Sequence, residues 1–205
     1  MSEEFFKRLL STLVLIPLSF FFIINGSHYF NFFISILLII SIYEWLQLSK
    51  KNIYKISGIF FLILSFYTVY YLRNQLNGDY LYFILILIIC ISTDIGGYIF
   101  GKLFMGPKLT KISPKKTYAG ALGGYFCSII FVYIFLNYSN FILKISINLN
   151  LSDQKINIYI FLFVIIISTI SQIGDIIISY FKRKNKIKNT GKIIPGHGGL
   201  LDRID

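Results

Sequence analysis

Long uninterrupted apolar runs alternate with short polar stretches along the 205 residues of the chain. A helix that crosses the hydrocarbon core of a membrane needs about 20 mostly apolar residues, and runs of that length recur here. A membrane β-barrel would instead alternate apolar and polar residues over short segments. Since a lipid-exposed backbone must satisfy its own hydrogen bonds, the runs are predicted to be helices. The pattern predicts an all-α, polytopic transmembrane helical bundle of about six spans, at Leu9–Asn25, Tyr29–Leu48, Ser57–Leu72, Tyr80–Phe100, Ala119–Leu143 and Ile156–Phe181.

Composition agrees with a membrane protein, because 56% of the residues are hydrophobic and only 14% are charged. Soluble domains carry roughly 25% charged residues. No soluble domain fits between the spans, so residues 1–205 are predicted to form a single integral-membrane domain whose first span is kept as an anchor. Cys90 and Cys127 fall inside apolar runs, where a free cysteine behaves as a small hydrophobe.

The net charge of +11 would suit a nucleic-acid partner, but the basic residues lie beside the spans. With a cytoplasmic N-terminus, 17 of the 20 Lys and Arg residues fall on the cytoplasmic side, and only Arg73, Lys144 and Lys155 fall outside. This is the positive-inside distribution, which orients spans and favours anionic lipid. We therefore predict no nucleic-acid partner, both termini in the cytoplasm, a bacterial-type inner membrane, and two cytoplasmic polar segments at 101–118 and 179–205.

Two acids, Asp94 and Asp175, lie inside predicted spans four and six. An ionisable group near the middle of a span costs at least roughly 2.5–3.5 kcal/mol, so such groups usually face a polar cavity or a partner. The alternatives are an acid near enough to the interface to be solvated, or a pair lining the ion path of a transporter. Glu44, beside Trp45 at a span end, is interpreted as an interfacial residue without a special role.

The basic segment 101–118 contains Ser-Pro-Lys-Lys-Thr at Ser113–Thr117, directly before a predicted helix. Cations, hydroxyl groups and a helix N-terminus together suit a phosphate anion. The alternative is a positive-inside loop whose neighbouring glycines allow close helix packing.

The segment 179–205 combines dense cations with Pro-Gly-His-Gly-Gly at Pro195–Gly199 and with Asp202 and Asp205. Glycines let bare main chain approach a ligand. Carboxylates are hard oxygen ligands of the kind that Mg²⁺ takes, usually one or two together with substrate phosphates. His197 would orient a phosphate or cap the turn.

This tail resembles the long signature of the phosphatidate cytidylyltransferases, also known as CDP-diacylglycerol synthases, of which the chain would be a short member. The N-terminal Lys7–Val14, the Ser113–Thr117 loop and Gln172–Asp175 are similar to other family elements. The matching tail positions are Ser179, Lys182, Arg183, Lys188, Gly191, Pro195, His197, Gly198, Gly199, Asp202, Arg203 and Asp205.

The resemblance implies that CTP and phosphatidate give CDP-diacylglycerol and pyrophosphate with Mg²⁺, a second cation being left open. Metal would be held by Asp175 and Asp202, with Asp205 close by. Catalytic residues would be Asp175, Ser179, Lys182, Arg183, Asp202 and Arg203. Substrate-binding residues would be Asp94, Ser113, Lys115, Lys116, Thr117, Lys188, His197, Gly198 and Gly199.

Three departures from the family pattern motivate an alternative function. Ile178 and Asn189 stand where the family usually has acids, and the sequence ends at Asp205 before a further hydrophobic segment. The alternative is a catalytically impaired scaffold. A chain without the last family helix would also be expected to bury its exposed surface in a homodimer.

Overall fold

The computed structural model describes residues 3–74, 80–110, 113, 116–142, 154–187, 190–191, 193–194, 196 and 198–204. Six helices in this part of the chain are long and apolar enough to cross a membrane, which confirms the all-α class and the number of spans. A short seventh helix follows them. The helices are α1 Glu3–Asn25, α2 Ser27–Leu48, α3 Asn52–Asn74, α4 Tyr80–Phe104, α5 Tyr118–Ile142, α6 Gln154–Lys184 and α7 Leu201–Ile204.

Helix α4 continues through Phe104, four residues into the segment predicted to be a loop from 101 onwards. The helix does not end at Gly101. This glycine lies where α4 passes close to the start of α5. A Cβ atom at Gly101 would meet Thr117 Oγ1 at 3.2 Å and Gly120 Cα at 3.6 Å. The glycine therefore permits close packing instead of a turn.

The described contacts group into two compact units, and unit 1 comprises residues 1–83 and 178–205. Its apolar cluster is formed by Trp45, Leu48, Leu62 and Leu201, which are all buried. Trp45 packs edge-on against Phe181, with ring centroids 4.8 Å apart. The end of α6 and the start of α7 therefore pack against the end of α2 and against α3.

Contacts at the two ends of unit 1 show how its helices alternate. At one end, Arg8 near the start of α1 donates to the carbonyl oxygen of Gly196 at 2.8 Å. At the other end, buried Arg73 donates to the carbonyl oxygens of Ile23 at 2.7 Å and Ile24 at 3.1 Å. These carbonyls at the end of α1 have no partner within the helix, so the arginine satisfies them. The beginning of α1 and the C-terminal segment therefore lie at the same end of the unit.

Helix α6 ends without a glycine. Lys186 has a positive φ of 56°, the left-handed conformation that commonly closes a helix. Its N–H donates to Arg183 O at 3.0 Å, and the N–H of Ile187 reaches Lys182 O, also at 3.0 Å. Ile187 then packs against the apolar cluster. This Schellman motif turns the chain back toward the end of α2.

Unit 2 comprises residues 84–177 and is packed through small residues. A Cβ atom at Gly123 of α5 would overlap the Phe100 side chain of α4. Buried Thr93 donates to Ser168 Oγ at 2.9 Å, which joins α4 to α6. Such small-residue contacts are typical of helix packing in membranes, and they confirm the packing role that the sequence suggested for the glycines near the start of α5.

Candidate functional site

A tight turn forms the centre of the C-terminal segment in unit 1. Ile194 and Gly198 exchange two main-chain hydrogen bonds, of 2.9 and 3.1 Å. Within this turn, Gly196 has φ 76° and Gly198 has φ 100°, conformations that favour glycine. Arg8 fixes the outer side of the turn through the Gly196 carbonyl. The structure thus gives a physical reason for two of the glycines in the tail.

Asp202 binds the surrounding segment through both of its carboxylate oxygens. Oδ1 accepts a hydrogen bond from Lys182 Nζ at 2.8 Å and forms an ion pair with it. The Asp202 side chain is 9% exposed and the Lys182 side chain is 16% exposed. Oδ2 accepts the N–H groups of Thr190 at 2.8 Å and Gly199 at 3.1 Å. Burial works to raise the pKa of Asp202, but Lys182 and the two N–H groups outweigh it, so the pKa lies below its usual range.

Glu44 is the residue that the sequence interpretation missed. It is not an interfacial acid without a role, because it is only 1% exposed and lies beneath the segment. Its carboxylate accepts three hydrogen bonds: from Leu200 N–H at 2.8 Å, from Leu201 N–H at 2.9 Å and from Thr190 Oγ1 at 3.0 Å. The cost of placing an acid in an apolar run, which drew attention to Asp94 and Asp175, was the signal that applied equally here.

Two further glycines are required by the approach of Glu44. A Cβ atom at Gly191 would lie 2.6 Å from Glu44 Oε1. One at Gly199 would lie 2.6 Å from Glu44 Oε2 and would overlap Thr190 Oγ1. Side chains at either position would therefore push the carboxylate away from the main chain that it binds.

The other predicted residues of unit 1 lie around this core of hydrogen bonds. Ser179 is half-buried on α6, while Arg183 at the end of α6 and Arg203 on α7 are exposed. Exposed guanidinium groups beside the Lys182–Asp202 pair give this end of the unit a surface that would attract phosphate.

In unit 2, the predicted anion loop and the acid of span six come together. Lys116 Nζ lies 2.6 Å from Asp175 Oδ2, and the two side chains are 25% and 30% exposed. The same ammonium group donates to the carbonyl oxygen of Gln172, one turn earlier on α6, at 3.4 Å. Asp175 therefore has a charged partner and an accessible carboxylate, as its place inside a span requires.

The loop that carries Lys116 is held at both ends. Leu109 N–H donates to Lys116 O at 2.8 Å, and Lys116 N–H donates to Ser113 O at 3.0 Å. Thr117 caps α5, because its hydroxyl accepts the N–H of Gly120 at 3.1 Å. The Thr117 hydroxyl, predicted to bind substrate, thus has a structural partner.

Asp94 is exposed on α4, whereas its neighbour Thr93 faces the interior of unit 2. Asp94 therefore lies away from the packed side of this helix. Lys115, Lys188, His197 and Asp205, along with Pro195 and Asn189, lie outside the described residues, so their roles stay predictions.

A metal site can be judged from the chemistry of the donors. Within the described ranges, no group of three His, Cys, Asp or Glu side chains is placed to hold a metal ion. Mg²⁺ does not need such a group, since it commonly takes one or two carboxylates and completes its shell with water and substrate phosphates. Asp175, with a 30% exposed side chain, fits the part of one carboxylate ligand, whereas Asp202, 9% exposed and bonded through both oxygens, would have to exchange one of these bonds for a metal.

Comparison with known proteins points to one family. The family model described as "Cytidylyltransferase family" matches residues 59–205. A phosphatidate cytidylyltransferase of Rickettsia felis is 33% identical over 210 aligned positions, which cover 99% of this chain and 87% of the relative. No solved structure gives a significant match.

Matches to staphylococcal relatives are shorter. The phosphatidate cytidylyltransferase of Staphylococcus haemolyticus is 39% identical over 131 residues, which are 63% of this chain and 46% of the relative. That of Staphylococcus aureus is 40% identical over 114 residues, 55% of this chain and 39% of the relative. The chain thus spans less than half the length of these curated relatives. The family match covers well over half of the chain, and the chain belongs to the cytidylyltransferase family.

Proposed function

We propose that this chain is a CTP:phosphatidate cytidylyltransferase, which forms CDP-diacylglycerol and pyrophosphate in phospholipid biosynthesis. The proposal depends most on the Lys182–Asp202 pair, which joins the end of the membrane-length helix α6 to the segment that contains the glycine-rich turn. Nucleotidyl transfer requires positioning and neutralisation of phosphate charge, and cations beside bare main chain supply both. The relatives named phosphatidate cytidylyltransferase support the same reaction.

In this reaction, a phosphate oxygen of phosphatidate attacks the α-phosphorus of CTP. A new phosphorus–oxygen bond forms, the bond to the β-phosphate oxygen breaks, and pyrophosphate leaves with the electron pair. Lys182, Arg183 and Arg203 neutralise phosphate charge, and Ser179 donates a hydrogen bond. By the resemblance, Lys116 would also bind substrate; its ammonium is paired with Asp175.

Each lysine of the two ion pairs has an aspartate partner before substrate binds. A partly buried ammonium group is costly without a partner, so the aspartate compensates its charge and holds it in one direction. A phosphate group, which accepts strong charge-assisted hydrogen bonds, would then compete for the same ammonium.

Mg²⁺ is the metal that we propose, with Asp175 and Asp202 as candidate ligands and Asp205 added by the resemblance. When bound with CTP, it would neutralise phosphate charge during transfer. The chain's own contribution is to hold the Asp202 carboxylate by two N–H groups, so that it keeps one orientation.

The reaction would take place at the cytoplasmic face, with both termini on that side. Phosphatidate lies in the leaflet and CTP arrives from the cytosol, so the residues must be near the interface. The concentration of Lys and Arg beside the C-terminal segment supports this orientation by the positive-inside rule. The orientation can be tested by replacing Lys50 and Arg203 with cysteine. Sealed cells are then labelled with an impermeant maleimide. Both positions should resist labelling until the membrane is opened, and labelling of intact cells would reverse the orientation.

A scaffold without turnover is the second candidate, and one contact favours it. Ile178, which stands where the family usually has an acid, packs against the cluster of Trp45, Leu48, Leu62 and Leu201. An apolar residue there stabilises the fold without contributing chemistry. The ion path through Asp94 and Asp175 stays a prediction, which a flux assay in liposomes would test.

Reconstitution of the purified chain with CTP, phosphatidate and Mg²⁺ separates the enzyme from the scaffold. We expect CDP-diacylglycerol and pyrophosphate in equal amounts, with no product when Mg²⁺ is chelated. Folded protein that retains its Trp45 fluorescence but forms no product would overturn the enzyme proposal and favour the scaffold.

A further inference from the structure

The carboxylate of Glu44 and that of Asp202 bind the same short stretch of main chain from different positions. Thr190 is shared between them: its hydroxyl donates to Glu44 at 3.0 Å and its N–H donates to Asp202 at 2.8 Å. Gly199 N–H goes to Asp202, and the next two N–H groups, of Leu200 and Leu201, go to Glu44. Three consecutive N–H groups are therefore divided between two acids.

Glu44 does not reach the surface where a substrate would bind. It is 1% exposed, and the three described donors to its carboxylate all belong to residues 190–201. A buried carboxylate is costly unless strong hydrogen bonds compensate it. Because Glu44 lies on α2 and its donors lie in the C-terminal segment, these hydrogen bonds tie α2 to that segment. Its effect on the site must pass through the segment that it binds.

We propose that Glu44 is the positioning residue of this segment, holding Thr190 and Gly199–Leu201 so that Asp202 is directed toward Lys182. The inference rests on the proposed function and deepens it, because it adds a residue of α2 to a site otherwise built from residues near the C-terminus. Only a carboxylate suits the position, because the N–H groups of Leu200 and Leu201 bond different oxygens and neither can accept a hydrogen bond. The amide of glutamine would place two N–H donors among them and leave one oxygen to accept.

The first test compares Glu44→Gln and Glu44→Ala with Gln47→Ala, an exposed residue one turn away on the same helix. We expect both Glu44 variants to lower kcat per folded enzyme about tenfold or more, while KM for CTP changes less than about threefold, because loss of a charge-assisted hydrogen bond is worth roughly that factor. Glu44→Asp, which keeps the charge, should recover part of kcat. Gln47→Ala should behave as wild type.

The second test measures amide hydrogen exchange and does not depend on turnover. In Glu44→Gln, the amides of Thr190, Gly199, Leu200 and Leu201 should exchange about tenfold faster or more, whereas buried amides of α2 and α3 keep their rates. A purely structural role would accelerate exchange throughout unit 1. Uniform acceleration, or unchanged exchange in the segment, would overturn the proposal.

A double-mutant cycle with Thr190→Val tests whether the effect passes through the segment. If Glu44 acts through Thr190, the double variant should lose much less kcat than the product of the two single losses. Independent, multiplying losses would count against the proposal. If wild type itself forms no CDP-diacylglycerol, the proposed reaction fails, while the exchange measurement still decides whether Glu44 holds Asp202 in place.

Discussion

Two Lys–Asp pairs, one in each compact unit, are built differently in the described part of the chain. Lys182 and Asp202 lie 2.8 Å apart in unit 1, and the Asp202 side chain is 9% exposed. Lys116 and Asp175 lie 2.6 Å apart in unit 2, and the Asp175 side chain is 30% exposed. Asp202 also accepts two main-chain N–H groups, whereas Asp175 lies on a helix whose own N–H groups are used within the helix.

The difference separates two requirements of a phosphate-handling site. Asp202 is part of the structure that holds the C-terminal segment, so in the proposed site chemistry and folding would depend on the same carboxylate. Asp175 has one ion pair and an accessible carboxylate, so its removal should affect chemistry more than folding. Variants of the two pairs should therefore have similar effects on turnover and different effects on structure.

The largest expected effect is that of removing either acid. Asp175→Asn and Asp202→Asn should each lower CDP-diacylglycerol formation at least about 100-fold, because each removes a carboxylate that is proposed to hold Mg²⁺. Only Asp202→Asn should also loosen the segment, since an amide replaces one acceptor by donors. Trp45, the single tryptophan in the chain, packs with Leu201 and reports this loosening by its fluorescence.

Asn137→Ala is a control for these substitutions, because Asn137 is an exposed side chain on α5. It should leave both turnover and fluorescence unchanged. Turnover near that of wild type in Asp175→Asn would remove Asp175 from the chemistry. Unaltered fluorescence in Asp202→Asn would show that its hydrogen bonds do not hold the segment.

Replacing the lysines should give the next largest effects. Lys182→Met and Lys116→Met should each lower turnover about tenfold, through loss of one phosphate-binding cation. Lys182→Met should also destabilise the segment by about 1–3 kcal/mol, because Asp202 then stays buried without its ion pair. Lys116→Met should cost less than about 1 kcal/mol, as is usual for a partly exposed pair. Thermal unfolding in detergent measures both, and equal stability losses would contradict the distinction.

Lowering the pH should remove the stabilisation that the Lys182–Asp202 pair contributes. The folded-state pKa of Asp202 lies below its unfolded value, so its stabilisation is fully present above the unfolded pKa of about 4 and is lost as pH falls through the folded pKa. Trp45 fluorescence followed from pH 6 down should therefore change only below about pH 4. The corresponding part of the change should be missing in Asp202→Asn. An identical acid transition in that variant would assign it to other groups.

The smallest effect concerns the turn that brings the segment back to α2. Lys186 adopts φ 56°, which costs a residue with a side chain roughly 1 kcal/mol. Lys186→Gly should therefore raise stability by up to about 1 kcal/mol, while Lys186→Ala, which removes the charge but keeps the strain, should not. Since Lys186 is outside both pairs, turnover should be unchanged. Equal unfolding temperatures of the glycine and alanine variants would contradict the strain.

Much of the fold was determined by local sequence. Six apolar runs gave six membrane-length helices, because the hydropathy of each run is a property of the run itself. The tail signature also identified the segment that contains Lys182, Asp202 and the glycine turn, since its spacing is local. The helix ends were harder to predict: α4 passed through Gly101 because another helix lies against it, and α6 ended at a lysine in a glycine conformation.

What the tertiary structure decided is which charge meets which partner. Glu44 binds Thr190, 146 residues away, and Arg8 binds Gly196, 188 residues away, and no local pattern relates such positions. The sequence shows that an acid in this apolar run would be costly to bury, but it does not show the donors that compensate the cost. Glu44 therefore looked like an ordinary residue at a span end. Burial makes a carboxylate depend on the few donors within hydrogen-bond distance, and folding alone brings those donors to Glu44 and Asp202.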